Sequence, residues 1–385
     1  MPLHHSWTAP VDATADPLVH YDAQRRRCPV ARDDALQYSV FRHADALRLL
    51  LDHDTFSNQA SRHRSVPNSM DPPEHGAYRR LIEPYFSAGR LAQFLPACRR
   101  ISAQCIAALP QDGVADLMSA LAHPFALRMQ CAFMGWPDSL HEPLRQWVRR
   151  KNEATRSGDP QATAQVAQDF EELLARVLAD FRRADPPGQD ATSRLLRETI
   201  NGTPLQETEI TSILRNWTVG ELGTIAASVG IIAHYLATHP DLQEHLRRHP
   251  GDVRRANDEI LRIRAPLVAN RRKTTREVDV SGTLVPAGAR LTLLWASANR
   301  DEAVFGDPDE FRLDRDPALN LLYGAGIHAC PGAGLARMEL ESIIQALLAA
   351  TDSFLPEPGH RPRYATYPEG GFETVPLRLQ RTPSP

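Results

Sequence analysis

Residues 321–334 (LLYGAGIHACPGAG) set Cys330 in a glycine-rich loop directly ahead of a helical pattern. A thiolate can ligate a soft metal or act as a nucleophile, and His328 stands two residues away as a candidate base. A position at a helix N-terminus favours the anionic sulfur. The glycines let the backbone approach a large flat group and point amides at the sulfur. The loop therefore suits a thiolate held under a haem, and an inert buried cysteine is the alternative interpretation.

Three further stretches carry charged side chains at spacings that suit binding. In EILR, Glu259 and Arg262 are three apart and share one face of a helix. In MDPPEHGAYRR, His75 and Arg79 are one turn apart, and two such donors together bind a carboxylate well. ANRRKTT places two arginines ahead of a predicted strand. Each of these residues, taken alone, is an ordinary surface cation or a surface pair of marginal value.

The cysteine loop resembles the haem-binding loop of cytochromes P450, whose pattern is Phe-Gly-x-Gly-x-His-x-Cys-x-Gly. In YGAGIHACPG, Tyr323 replaces the phenylalanine, and the matching residues are Gly324, Gly326, His328, Cys330 and Gly332. The resemblance extends in order and spacing from QYSVFRHADALRLLLDHDTFS to ETVPLRLQ. It implies haem b, with its iron ligated by the Cys330 thiolate, and the cytochrome P450 fold.

The resemblance also implies roles for the charged stretches. Glu259 and Arg262, joined by Arg315 from FRLDR, are expected to form a buried network that stabilises the cysteine loop. The expected donors to the haem propionates are His75, Arg79, Arg272 and His328, with Arg271 as the alternative to Arg272 by one position. Gly220 and Gly324 are expected to lie against the cofactor.

Periodicity predicts a mainly α protein with small β-sheets. The longest helical pattern runs from about Leu205 to Thr238 and is apolar on most faces in its second half, which predicts a helix at the centre of the fold. The stretch TREVDVSGTLVPAGARLTLLWA reads as a hairpin that turns at Pro286-Ala287-Gly288. No linker divides the chain, so residues 1–385 are expected to form a single cytochrome P450 haem domain.

Composition excludes several classes of protein. The net charge of −3 lacks the basic excess that nucleic-acid binding requires. No apolar run approaches the ~20 residues that span a bilayer, and the N-terminus lacks the pattern of a signal peptide. A cytoplasmic protein is expected. The five cysteines form no CxxC, which argues against zinc or a disulfide framework, and Cys98, Cys105 and Cys131 read as inert core thiols.

The central helix departs from the pattern Ala/Gly-Gly-x-Asp/Glu-Thr that the resemblance implies. TVGELGTIAAS aligns Thr224 with the threonine, but Gly223 occupies the position of the acid and Glu221 that of the second glycine. Glu221 and Thr224 are three apart, so both can face one cavity, where Glu221 would replace the missing acid. In the alternative, Glu221 points at protein or solvent and ordered water delivers protons.

The segment NQASRHRSVPNS is shorter than the corresponding segment of the family, so the lid over the substrate is expected to be reduced. Arg62, His63 and Arg64 lie in it and would meet an anionic or carrier-bound substrate, or else form a solvated loop. The expected pocket walls are small or apolar, as suits a hydrophobic ligand. They are Val219, Gly220, Thr224, Val268, Ala269 and Phe372.

The resemblance implies a monooxygenase that hydroxylates, epoxidises or dealkylates a small hydrophobic molecule. Because the usual acid is missing, a peroxide-driven peroxygenase or a non-oxygenating haem enzyme is the second possibility. A haem-free recruitment domain is the third. With no fused flavin or iron–sulfur module, electrons are expected from a separate ferredoxin or flavodoxin. A ferredoxin would dock on the cysteine side, at Arg79, Arg80, Arg90 and Arg337.

Overall fold

The computed structural model of the chain describes residues 7–10, 12–33, 37–61, 64–110, 112–184 and 188–381. Its architecture is mainly helical, as the periodicity predicts. The helices are α1 (Pro17–Arg27), α2 (His43–Leu51), α3 (Glu74–Ile82), α4 (Ala88–Ala107), α5 (His123–Met134), α6 (His141–Ser157), α7 (Pro160–Arg183), α8 (Ala191–Leu195), α9 (Glu207–Ala237), α10 (Pro240–Arg248), α11 (Val253–Ile263), α12 (Trp295–Ala298), α13 (Glu302–Phe305) and α14 (Ala333–Ala350).

Local sequence signals fix where several helices begin. Asp16 caps α1 by accepting from the amide of Leu18, and the capping residue Asp159 stands directly before the proline that opens α7. At α9, Gln206 and Glu209 exchange side-chain and backbone hydrogen bonds in a capping box. These signals set the register of each helix and hence the face that it buries.

The helix α9 occupies the centre of the helical body, where it packs on α5, α11 and α14. Its bounds, Glu207–Ala237, confirm the long central helix that the sequence predicts. Within the described part of the chain it is the one helix long and apolar enough to cross a membrane, and most of its apolar window is buried by protein. Its hydrophobicity is that of a core helix.

The β structure is divided into small sheets. The largest has the order β1-β2-β10-β7-β3, with β2 and β10 parallel and the other pairs antiparallel. The strands are β1 (Val30–Asp33), β2 (Gln37–Val40), β3 (Phe56–Ser57), β4 (Asp112–Asp116), β5 (Thr199–Ile200), β6 (Thr203–Pro204), β7 (Ala269–Thr274), β8 (Val278–Val280), β9 (Thr283–Val285), β10 (Arg290–Leu294), β11 (Thr351–Pro356), β12 (Arg363–Tyr364), β13 (Phe372–Thr374) and β14 (Pro376–Arg381).

The predicted hairpin at Pro286-Ala287-Gly288 is wrong. The hairpin is formed by β8 and β9 and turns at Ser281 and Gly282, both of which have positive φ. The strand β10 pairs instead with β7, which precedes the hairpin in sequence. The turn at Pro286–Gly288 redirects the chain toward that sheet, where the amide of Gly288 donates to Thr274 O.

Two clusters of buried apolar side chains form the core. The larger fills the spaces between α4, α5, α9 and α14, and the smaller lies around the five-stranded sheet. Cys98, Cys105 and Cys131 belong to the larger cluster, and burial raises the pKa of each thiol. This confirms the prediction that they are core residues.

Candidate haem site

The loop before α14 is folded tightly by two glycines in the left-handed region, Gly324 (φ +72°) and Gly326 (φ +69°). A Cβ on Gly326 would lie 2.6 Å from the carbonyl oxygen of Leu50 at the end of α2, so no larger residue fits there. The amide of Cys330 donates to Tyr323 O at 2.8 Å and closes the loop. These contacts hold Cys330 three residues ahead of the start of α14.

Cys330 as a residue is exposed, whereas the other four cysteines are buried. Desolvation of its sulfur raises the pKa of the thiol, and the Gly332 amide and the guanidinium groups of Arg79 and Arg337 oppose that shift. Amide and cationic neighbours of this kind stabilise a thiolate. Cys330 is thus the cysteine that the fold presents for ligation.

The face of α9 at 219–223 borders an open space. Val219 is 37% exposed although it lies on the central helix, and Gly220 and Gly223 are exposed as well. A Cβ on either glycine would meet nothing within 4 Å. The charge of Glu221, between them, contributes to raising the pKa of Cys330. This part of α9 is therefore near the cysteine loop.

Four cationic or proton-donating side chains converge beside the loop. His75 on α3 and Arg272 on β7 are each 3% exposed, and the rings of His75 and His328 are 4.2 Å apart. The Nη1 of Arg79 donates to Ala329 O at 2.7 Å. Burial, together with the charges of His75, Arg272 and Arg79, lowers the pKa of His328 to about 3. These four groups surround a site suited to an anion.

The two histidines of this cluster have unpaired ring nitrogens. Within the part of the chain that the structure describes, Nε2 of His75 and Nε2 of His328 are buried and have no hydrogen-bond partner. Buried polar atoms of this kind are normally paired, so their isolation indicates a missing hydrogen-bond partner. Asp71, the acid whose charge acts on His75 and Arg272, bonds instead to Ser57 and the amide of Asn58.

The register of β7 distinguishes the two candidate arginines. Successive side chains of a strand point to opposite faces, and Arg272 is buried whereas Arg271 is exposed. The Nη1 of Arg272 donates to the carbonyl of Arg271, and burial lowers the pKa of Arg272 to about 10. Arg272 is the one that joins the cluster.

Glu259, Arg262 and Arg315 form a buried network. Arg262 Nε lies 2.9 Å from Glu259 Oε2, and Arg315 Nε lies 2.8 Å from Glu259 Oε1. Arg262 also donates to the carbonyl of Asn299, whose side chain accepts from the amide of Leu321 at 2.8 Å. The network thereby reaches the first residue of the cysteine loop.

On the central helix, the Thr224 hydroxyl bonds to its own backbone, whereas the Glu221 carboxyl is directed into the protein. Thr224 Oγ1 donates to Gly220 O at 2.6 Å, so its hydroxyl is held against its own helix beside the open space. Glu221 is half-buried, its Oε1 is fully enclosed, and its carboxyl lies within hydrogen-bonding reach of Glu339 on α14. Glu339 was not among the sequence candidates.

The proposed pocket walls are only partly brought together. Val219 faces the open space, and Val268 and Ala269 lie where the chain enters β7. Phe372 is buried and packs on His234, with ring centroids 4.5 Å apart. His234 is about 22 Å along the helix axis from Val219 at 1.5 Å per residue, but Phe372 also lines a cavity of about 710 Å³ together with Leu222 of α9.

The segment after β3 is attached to α9. Asn216 Nδ2 donates to Val66 O at 2.8 Å, and the amide of Val66 donates to Ser212 Oγ at 2.9 Å. The short segment therefore covers the N-terminal half of the central helix. Arg64 forms an ion pair with Glu74, and Arg62 and His63 lie outside the described residues.

The four arginines predicted for partner docking are unequally available. Arg79 pairs with Glu83 at 2.8 Å, and Arg337 pairs with Asp258 at 2.8 Å. Arg80 is exposed on α3, whereas Arg90, in the first turn of α4, is half-buried and donates to Gln189 O at 3.2 Å. Arg80 is thus the most available of the four.

The exposed Cys330, the unpaired histidine nitrogens and the open glycine face fit a flat cofactor with two carboxylates, which is the chemistry of a haem ligated by thiolate. The cytochrome P450 family model matches residues 253–363. The chain is 31% identical to the cyclomarin C epoxidase of Salinispora arenicola over 84% of this chain and 86% of that protein. It is 30% identical to the erythromycin C-12 hydroxylase of Saccharopolyspora erythraea over 84% of each.

A solved structure of the open cytochrome P450 EryK from S. erythraea superposes with a TM-score of 0.88 at 26% identity, covering 98% of this chain and 100% of that one. The chain belongs to the cytochrome P450 family. It is therefore a monooxygenase and an oxidoreductase, and the predicted fold class is confirmed.

Proposed function

We propose that this protein uses O2, and electrons from a separate ferredoxin or flavodoxin, to hydroxylate, epoxidise or dealkylate a small hydrophobic substrate. The observation that most supports this is the exposed Cys330, placed before α14 in a loop that the Glu259–Arg262–Arg315 network stabilises. Relatives named as an epoxidase and a hydroxylase support the reaction class. Thiolate-ligated haem supplies the oxidising chemistry when it is bound.

The residues that would hold haem b are those of the cysteine loop and the cationic cluster. Cys330 would ligate the iron, and His75, Arg79, Arg272 and His328 would donate to the propionates. Gly220 and Gly324 would leave room for the ring, because a Cβ at Gly220 would occupy open space and Gly324 holds the left-handed turn.

The chain's own residues would then orient the substrate and control protons and water. Val219, Val268 and Ala269 would form apolar walls near the open space, and Phe372 would act from the C-terminal hairpin. The hydroxyl of Thr224 would orient a water molecule in the open space, and Glu221 would hold a proton one turn away, in the role of a positioned general acid.

The thiolate spectrum tests this proposal. The haem-loaded protein, reduced and treated with carbon monoxide, should show a thiolate-type Soret band. Cys330→Ala should lose that band, whereas Cys105→Ala, at a buried core thiol, should retain it. A wild-type protein without the band, or a Cys330→Ala variant that retains it, would contradict the assignment of Cys330.

A peroxide-driven peroxygenase is the second candidate, favoured by Gly223 at the position of the usual acid. A non-oxygenating haem enzyme follows it, and a haem-free recruitment domain ranks last because the complete donor set is present. Turnover with hydrogen peroxide, compared with turnover with a ferredoxin and its reductase, separates the first two. Faster turnover with peroxide would reverse their order.

The proposed function also specifies the domain, the location and the partner of the protein. Residues 1–385 are proposed as a single haem domain that works in the cytoplasm without nucleic acid or a membrane. A ferredoxin would approach the cysteine side through Arg80, the most available of the four arginines. A substrate carried on another protein is the less favoured alternative, and it would meet Arg64 near the segment that covers α9.

A further inference from the structure

Two aromatic side chains of the C-terminal hairpin line the cavity that Leu222 also lines, which we call the larger cavity. Tyr364 on β12 and Phe372 on β13 are partners in the strand pairing, and their rings stack with centroids 5.3 Å apart. Side chains of α5 and α6 line the same cavity, whose volume is about 710 Å³. A cavity of this size is in the range that encloses a drug-sized ligand.

A cation lies over both rings. The guanidinium carbon of Arg264 is 5.1 Å from the ring centroid of Tyr364 and 5.2 Å from that of Phe372. Arg264 itself lines a smaller cavity of about 410 Å³, together with Asp16 and His234. The two rings therefore lie between the larger cavity and the guanidinium group, which attracts them through their π faces.

The N-terminal segment holds Arg264 in this position. Asp16, which caps α1, accepts from Nη1 of Arg264 at 3.1 Å and from Nη2 at 2.5 Å. Two parallel hydrogen bonds of this kind fix the orientation of a guanidinium group as well as its place. The carbonyl of Ala13 also accepts from the amide of Tyr364 at 2.9 Å. Residues 13–16 therefore bind both the cation and the strand that carries one of the rings.

The backbone beside Phe372 has little room to move. A Cβ on Gly370 would lie 2.5 Å from Ala265 O, and a Cβ on Gly371 would lie 3.0 Å from the Ile231 side chain of α9. The hairpin backbone is thus in close contact with the chain behind it. The orientation of the two rings is the part of this wall that side-chain contacts set.

His234 also packs on Phe372, with ring centroids 4.5 Å apart. Burial and the charge of Arg264 lower the pKa of His234 to about 4. The imidazole is therefore neutral at pH 7. Among the residues that the structure describes, Arg264 is the cation that lies over the two rings.

We propose that Arg264 fixes the rings of Phe372 and Tyr364 and thereby limits the size of the ligand that the larger cavity accepts. Asp16 contributes by holding the guanidinium group in place. Without that group, the rings could turn back into the smaller cavity and leave more space for a ligand. Arg264 is a positioning residue, since it acts through the rings. The inference rests on the proposed function, in which Phe372 forms part of the substrate pocket.

Azole binding to the haem-loaded protein tests the size limit, with imidazole as the small probe and econazole as the large one. Both ligate haem iron through an azole nitrogen, and the shift of the Soret band gives their affinities. Arg264→Gln removes the cation but retains a donor toward Asp16. It should bind econazole more tightly relative to imidazole by roughly two- to fivefold, the size of one cation–π contact. Phe372→Ala widens the larger cavity directly and should change the ratio in the same direction.

Two further variants separate the effect of the cation from that of packing. Arg264→Lys keeps a positive charge near the rings and should retain most of the wild-type ratio. Arg378→Gln, on β14, removes an ion pair with Glu357 and should leave the ratio unchanged. Weaker relative binding of econazole by Arg264→Gln, or a ratio equal to that of Arg378→Gln, would overturn the proposal.

Fluorine NMR of the haem-loaded protein labelled with 3-fluorotyrosine follows the ring without turnover or an added ligand. The signal of Tyr364, assigned through Tyr364→Phe, should shift or broaden in Arg264→Gln and in Asp16→Asn. Asparagine is also a good N-cap, so Asp16→Asn keeps α1 capped and removes the charge that holds Arg264. The signals of Tyr78 and Tyr85, remote from the hairpin in sequence, should stay in place. A Tyr364 signal that is unchanged in both variants would refute the positioning role.

Failure of this inference and failure of the proposed function give different results. A wild-type protein without a thiolate Soret band, or without a shift on adding imidazole, would refute the proposed haem function. A normal imidazole shift together with an unaltered econazole ratio in Arg264→Gln would refute the size limit alone.

Discussion

At the scale of single residues, the site depends on a few buried charged groups whose hydrogen bonds cannot be replaced by water. Glu259 accepts from Arg262, from Arg315 and from the amide of Arg312, and it is almost completely enclosed. Removing its charge leaves Arg262 buried without its counter-ion. The cysteine loop then loses the connection that runs through Asn299 to Leu321.

Glu259→Gln should therefore destabilise the fold by about 3–5 kcal/mol, the range for breaking one side of a buried ion pair. Denaturant unfolding and haem retention measure the effect. Arg312→Ala, which removes a surface pair with Asp314, is the control and should change neither quantity appreciably. Equal behaviour of the two variants would show that the buried network does not stabilise the loop.

Gly326 tests the close approach of the loop to α2. Gly326→Ala adds a cost of about 1–2 kcal/mol for the left-handed conformation, and its Cβ also meets Leu50 O. Gly359→Ala is the matched control, because Gly359 has φ +80° with nothing within 4 Å of a Cβ. Haem binding, followed by the Soret absorbance, should fall for Gly326→Ala and persist for Gly359→Ala. Equal haem binding in both would contradict the close approach.

At the scale of elements, the segment 64–70 is a covering that hydrogen bonds attach to the central helix. Asn216 bonds to both Ser65 and Val66, each hydrogen bond contributing about 1 kcal/mol. Asn216→Ala should therefore speed amide hydrogen exchange across 65–70. Ser228→Ala removes only a bond to Thr224 O within α9 and should leave that exchange unchanged. Unaltered exchange in Asn216→Ala would show that other contacts hold the segment.

Features that depend on local sequence were predicted correctly, and features that depend on distant residues were not. The bounds of α9 and the pairing of Glu259 with Arg262 follow from helical periodicity, which is local. The strand β10 pairs with β7, which precedes the β8–β9 hairpin in the chain. This pairing is not local, so turn residues alone placed the hairpin at the wrong position. Glu339 was missed because it looks like an ordinary surface acid. Its position among the buried Leu335, Met338 and Ile343 of α14 was the available signal.

At the scale of the whole molecule, we expect charge to govern the encounter with the proposed electron donor. Arg79 and Arg337 pair with carboxylates and Arg90 donates to Gln189 O, so Arg80 is the arginine of this set best placed to attract an acidic partner. The rate of reduction by a ferredoxin should fall as ionic strength rises, since exposed charges are screened beyond ~10 Å at 0.1 M salt. Arg80→Glu should slow reduction at low salt, and Arg176→Glu, on α7, should not. Rates that ignore salt would contradict docking at this face.

The length of α9 has a consequence for the molecule as a unit. At 31 residues it is a rod about 46 Å long. Near one end it bonds to the covering segment through Ser212 and Asn216, at its middle it borders the open space, and near its far end His234 packs on Phe372. The covering segment and the C-terminal hairpin therefore contact the same helix, so a shift of α9 along its axis would displace both contacts at once.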